Sequence, residues 1–138
     1  MPNKTRSRKK LTARELRDLD IEIQFIEGVV RRDPKYAEAW QVLADDYTSR
    51  GRFAEGLEAD EKLSHIRPQD PTVHYNLACS YSRTGQIDAA AAALERALAL
   101  GYRDFKWLTR DPDLANLRKH PSYKSIRARI RSMQIKIA

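Results

Sequence analysis

The chain has 138 residues, is 41% hydrophobic and 33% charged, and carries a formal net charge of +7 at pH 7, which suits one globular domain with one core. No apolar run reaches the roughly 18 residues of a membrane-spanning helix, and the basic, polar amino terminus lacks the pattern of a secretory signal. Cys79 is the single cysteine, so no internal disulfide is possible and a reducing, cytoplasmic setting is expected.

The charge is unevenly spread. Residues 1–10 hold five bases and no acid, residues 37–70 four bases against eight acids, and residues 105–138 nine bases against Asp111 and Asp113. An acidic centre therefore lies between two basic ends.

Residues 1–10 are expected to form a disordered basic tail, with residues 11–138 a single helical domain. Thr12-Ala13-Arg14-Glu15 fits a capping box and predicts a helix over 13–32. Leu16, Leu19, Ile23, Ile26, Val29 and Val30 recur on it at three- and four-residue steps, giving one buried stripe. Asp33-Pro34 ends the helix, because proline disfavours helical geometry in the residue before it.

From Ala37 to Asp104 one pattern is written twice, at 37–70 and 71–104. A shift of 34 residues sets Leu43 on Leu77, Ala44 on Ala78, Tyr47 on Tyr81 and Gly51 on Gly85. Each copy predicts two helices, over about Tyr36–Ser49 and Phe53–Ile66, then Thr72–Thr84 and Ile87–Leu100, with glycine closing the turn between them. Self-similarity at this period marks a helical solenoid. The register extends backwards, with Leu19, Ile23 and Val29 on Phe53, Leu57 and Leu63. Residues 11–36 thus read as the second half of an earlier unit, covering the first full repeat.

These repeats resemble the tetratricopeptide repeat through Trp40, Leu43-Ala44, Tyr47, Gly51 and Pro68, and through Leu77-Ala78, Tyr81, Gly85, Ala90, Leu94 and Ala97. Gly56, Asp60, His74 and Tyr102 depart from its usual alanine, large apolar residue, tryptophan and proline. The resemblance implies an all-α fold: a short right-handed helical solenoid of about two repeats, with an N-terminal helix and C-terminal capping helices. Past Leu108 the register fails at Asp111-Pro112. Residues 105–138 are similar to the end-of-array element of some bacterial members, with Phe105, Trp107, Leu108, Leu114 and Leu117 placed to close the core. A last helix is predicted from Pro121 to about Lys136, with Tyr123, Ile126, Ile130 and Met133 inward and Lys124, Arg127, Arg129 and Arg131 outward.

No phosphate-cradling glycine loop, HExxH, CxxC or GxSxG pattern occurs. His74 and Cys79 are roughly 140° apart around a helix and share no face. His65 and His120, beside helix ends, read as structural. No catalytic residue, metal ligand or cofactor is expected. In a solenoid of this kind the first helix of each pair lines the concave side, so Gln41, Asp45, Tyr75, Asn76, Cys79 and Arg83 are the groove candidates. Tyr75 would offer an aromatic face, Asn76 a backbone clamp and Arg83 a carboxylate partner.

Some relatives hold a peptide's terminal carboxylate with Lys, Asn, Asn, Lys and Arg. Asn76, Lys106 and Arg110 match three of those positions, whereas Gln41 and Asp45 replace the first two. Asp45 would repel a carboxylate, which argues against a chaperone-tail clamp, and the acidic first repeat favours a basic segment instead. The expected function is non-catalytic binding of a protein or peptide in the concave groove. The alternative is nucleic-acid or anionic-surface binding through the basic ends, although no aromatic residue in the tail offers base stacking.

Overall fold

The computed structural model describes residues 10–137; the basic tail expected over 1–10 lies, apart from Lys10, outside the described residues. Five helices of three or more turns come first: α1 (Ala13–Arg32), α2 (Ala37–Arg50), α3 (Phe53–Ile66), α4 (Pro71–Arg83) and α5 (Ile87–Ala99). A broken segment follows, made of α6 (Phe105–Leu108), a 3-10 turn (Pro112–Leu114) and α7 (Ala115–Arg118), before α8 (Tyr123–Ile137). Helices α1 to α5 each pack on the next in chain order, α4 also meets the 3-10 turn and α7, and α5 meets α7 and α8. The architecture is a short right-handed all-α solenoid closed by capping helices.

The sequence sets the helix ends directly. Thr12 and Glu15 exchange the two hydrogen bonds of a capping box at 3.1 and 2.9 Å, satisfying two amides that an unfinished first turn leaves bare. Asp70 caps α4 by accepting from the amides of Thr72 and Val73. That helix consequently starts at Pro71, whose missing N–H costs nothing in a first turn. Gly51 and Gly85 turn each pair at φ 84° and 80°, a region where a Cβ is strained. The last helix begins at Tyr123, two residues later than the proline suggested. Pro121 and Ser122 are used in a turn, in which Ser122 N–H donates to His120 Nδ1 at 3.2 Å.

Repeat identity persists at the level of hydrogen bonds. Tyr47 hydroxyl donates to Glu27, and Tyr81 hydroxyl donates to Glu61 at 2.9 Å, both across 20 residues. Trp40 Nε1 donates to Pro34 O at 2.8 Å, and His74 Nε2 donates to Pro68 O at 2.9 Å. His74 therefore replaces the signature tryptophan while keeping its bond, and that bond assigns the proton to Nε2. The Tyr–Glu pair reaching back into α1 gives α1 the same relation to α2 that α3 has to α4.

The core has two main parts. Ile23 and Val30 of α1 pack with Leu43, Ala44 and Tyr47 of α2 and Ala59 of α3. The larger part joins α4 and α5 to Phe105, Leu108, Leu114, Leu117, Tyr123, Ile126 and Ile130, with Trp107 and Met133 partly buried against it. The capping residues thus complete a core that two repeats alone would leave open.

Candidate functional site

The first helices of the two repeats, α2 and α4, should line the concave side, yet the structure treats them differently. Over α4 the capping segment closes down. Tyr75, Asn76, Cys79 and Ser82 are each 0% exposed, and the Arg83 side chain is 5% exposed. The Tyr75 ring stacks on Tyr102 at 4.1 Å, and its hydroxyl donates to Asp111 at 2.7 Å. The Cys79 thiol reaches the same carboxylate at 3.7 Å. Arg83 Nη1 pairs with Asp113 at 3.1 Å. Asn116 Nδ2 donates to Ser82 O at 3.2 Å, and Ser82 Oγ accepts from Leu117 N at 3.3 Å.

The other end of Arg83 faces inward. Its Nη2 donates to Ser80 Oγ at 2.9 Å, and Ser80 in turn donates to the buried Asp60. Asp60 stands where the second repeat has Leu94, so its departure from an apolar signature residue is matched by an arginine on α4 that the cap also uses. One guanidinium joins α3, α4 and the cap. A buried charge persists only when paired and hydrogen-bonded in this way.

This corrects the reading of Tyr75, Asn76, Cys79 and Arg83 as surface-presenting side chains. Asp111 and Asp113, the two acids of the basic carboxyl-terminal segment, draw the chain over α4 and take Tyr75, Cys79 and Arg83 as internal partners. Burial, with Cys79 and Asp111 alongside, pushes the Tyr75 phenol far above its usual range, so it remains a neutral donor. Both side-chain polar atoms of Asn76 are buried without a hydrogen-bond partner, a cost of about 1–3 kcal/mol. In sequence, Asp111 and Asp113 read only as the flanks of a helix-breaking proline. Their signal was being the sole acids among nine bases.

Over α2 no capping segment closes down among the described residues. Val42 is 38% exposed, and Ser49 is exposed. Gln41 and Asp45 are half-buried, with Gln41 Nε2 donating to both Asp45 oxygens at 3.3 Å. Glu38 pairs with Arg67 at 3.0 Å and keeps 69% of its side chain exposed. Its carboxyl is held below the usual range by backbone hydrogen bonding and then by Arg67. Beside them, Asp46 is pushed up to about 8, first by burial and then by the Glu22 carboxyl of α1. Lys106 and Arg110 are exposed on the capping segment beyond α4.

Two clefts lie elsewhere on the molecule. One, of 280 Å³, lies between α1 and α3 over a floor of Trp40, Leu43 and Tyr47, with Glu27, Glu55, Glu58, Arg31 and Lys62 on its walls. The other, of 300 Å³, gathers Arg118, Arg127 and Arg131 with Thr109, Tyr123 and Gln134. Among the described residues no helix is long and apolar enough to cross a membrane.

Paired helices in a repeating register, capped and presenting a partly polar inner face, define a helical-repeat scaffold of the kind that serves as a protein–protein interaction module. The tetratricopeptide-repeat family model matches residues 71–104, and the chain is a tetratricopeptide-repeat protein. It is 41% identical over 80 residues to a chloroplastic protein of Arabidopsis thaliana, a match covering 56% of this chain and 24% of that protein. It is 34% identical over 90 residues to the peroxisomal targeting signal receptor of Komagataella phaffii, covering 64% and 16%. With superkiller protein 3 of Schizosaccharomyces pombe it shares 30% over 78 residues, covering 56% and 6%. The chain therefore spans a quarter or less of each of these relatives.

Proposed function

We propose that the chain binds an extended, basic segment of a partner protein along the concave face of α2. The observation that supports this is the contrast between the two inner helices. The α4 face is occupied by the chain's own cap, whereas on α2 Glu38, Val42 and Ser49 are exposed and Gln41 and Asp45 half-buried. Asp45 and Glu38 supply negative charge to a lysine or arginine, Gln41 supplies an amide for backbone, and Val42 an apolar contact. Receptors for a targeting signal are among the similar proteins, which favours recognition of a short peptide. The domain division at residues 11–36, 37–70, 71–104 and 105–138 belongs to this reading, with the first repeat as the recognition unit. Catalysis has no part in it, and its setting is the cytoplasm.

A peptide array of varied net charge tests the proposal. Basic peptides should be retained, and Glu38→Lys with Asp45→Lys should weaken the best of them at least tenfold. Retention of acidic peptides, or binding indifferent to that double reversal, would sink it.

A second reading has its own support in the cleft of Arg118, Arg127 and Arg131. Three arginines lining one cleft suit an oxyanion such as a nucleic-acid phosphate. Fluorescence anisotropy with a labelled RNA at about 50 mM salt separates the two, because phosphate contacts weaken steeply with added salt. Binding that Arg127→Glu with Arg131→Glu abolishes would favour the phosphate reading over the α2 one.

A further inference from the structure

α1 is the second helix of a unit whose first helix is not among the described residues. The face it turns away from α2 is unusually apolar. Ile21 and Phe25 are 66% and 70% exposed, and beside them Gly28, with no side chain, leaves a shallow depression lined also by Gln24, Val29 and Arg32. The repeat register shows what this position normally does. Phe25 stands in the place of Ala59 and Ala93, which are 1% and 7% exposed, and Ala59 is buried in the cluster that joins α1, α2 and α3. Phe25 is thus at the position through which one unit meets the next, at the end of the described stack.

Asp18, Ile21, Phe25, Gly28 and Arg32 succeed one another at alternating three- and four-residue steps, which is a heptad seam. The seam is self-complementary in one orientation. Asp18 and Arg32 each lie seven residues from Phe25. When the helix meets an antiparallel copy about a two-fold axis through Phe25, each Asp18 faces an Arg32. Phe25 then meets Phe25, and Ile21 meets Val29 and the gap at Gly28. A parallel pairing sets Asp18 on Asp18 and Arg32 on Arg32. An antiparallel pairing displaced so that Ile21 meets Phe25 brings Arg14 onto Arg32. Like charges oppose both alternatives.

We infer that this face of α1 pairs antiparallel with the same face of a second copy of the chain, through Ile21, Phe25 and Gly28 with Asp18–Arg32 contacts at both ends. The interface is isologous, as a two-fold requires. One helix about 30 Å long offers less than the roughly 800 Å² per partner of a standard interface, so the dimer is reversible and concentration-dependent.

Sedimentation velocity of the full chain, from about 1 µM to about 500 µM, tests this. The expected result is a monomer–dimer equilibrium. Phe25→Asp should be monomeric throughout with unchanged helical circular dichroism. Asp18→Arg should weaken the dimer several-fold, and Asp18→Arg with Arg32→Asp should restore it. A monomer at every concentration, as when residues 1–9 or a different protein cover the face, would overturn the inference. So would a dimer indifferent to Phe25→Asp, or one that the charge exchange does not rescue.

Discussion

Gly56 and Thr48 in the first repeat, against Ala90 and Ser82 in the second, show how the two copies differ one side chain at a time. A Cβ at Gly56 would meet Thr48 Oγ1 at 3.0 Å, and that hydroxyl is fixed by donating to Ala44 O at 2.9 Å. Ser82 has turned its hydroxyl toward Leu117 instead, leaving room for Ala90. Alanine in a helix gains about 1 kcal/mol over glycine, and overpacking costs about as much. Gly56→Ala alone should therefore stay within about 1 kcal/mol of the parent. In a Thr48→Ser background it should stabilise by about 1 kcal/mol, because serine is freer to change rotamer. A urea double-mutant cycle measures this, and strict additivity would refute the steric coupling. Asp46 gives a pH effect. With its carboxyl raised from 3.8 to about 8, the folded state keeps a proton that the unfolded state loses over that window. Stability falls as pH rises through it. Asp46→Asn should remove that slope and be more stable than the parent above pH 8, by about 1 kcal/mol given how much of the carboxyl remains solvated. Equal pH dependence in the two proteins would contradict it. The register made Gly56 visible in sequence as a departure, but not Thr48 or Asp46. Their partners were not visible, because a methyl moved from one helix to its neighbour leaves no periodic trace.

Among the elements, α1 through α5 were legible because each carries its own apolar period and a cap or a breaker, and local rules decide them. The Thr12–Glu15 box and the turns at Gly51 and Gly85 are of that kind. The capping segment was legible only in part. Its apolar residues and the break at Asp111-Pro112 announce a closing element, but the attachment of that element to α4 depends on contacts more than 30 residues apart, such as Tyr75 with Asp111 at 36. That attachment is also why the groove candidates on α4 were misplaced. Helical spacing told which face of α4 they occupy, and could not tell that the chain would return to cover it. Arg83 and Asp113, 5% and 4% exposed in their side chains, hold the cover in place. Removing one member of a buried pair leaves the other charge uncompensated, so Asp113→Ala should destabilise the protein by about 3 kcal/mol. Chemical unfolding would show it, and a loss below about 0.5 kcal/mol, the scale of a surface change, would mean that the pair does not secure the cap.

At the scale of the whole molecule, a two-repeat solenoid has two inner helices to offer a partner, and this one uses the second to close itself. Among the described residues, what remains exposed is part of α2, acidic and partly apolar, and the outer face of α1. The asymmetry rests on a single structural fact, the sealing of α4 by the capping segment, and the lone cysteine reports on it. Cys79 lies under the seal at 0% exposure, while Val42 occupies the open helix at 38%. The direct measurement is the rate of thiol modification of Cys79 in the natural sequence, compared with that of Val42→Cys in a Cys79→Ser background. Val42→Cys should react as an exposed thiol does, and Cys79 should react only through opening of the structure, at least a hundredfold more slowly, with Asp113→Ala closing much of the gap. Comparable rates at the two positions would show that α4 is open, and would return Tyr75, Asn76 and Cys79 to the groove.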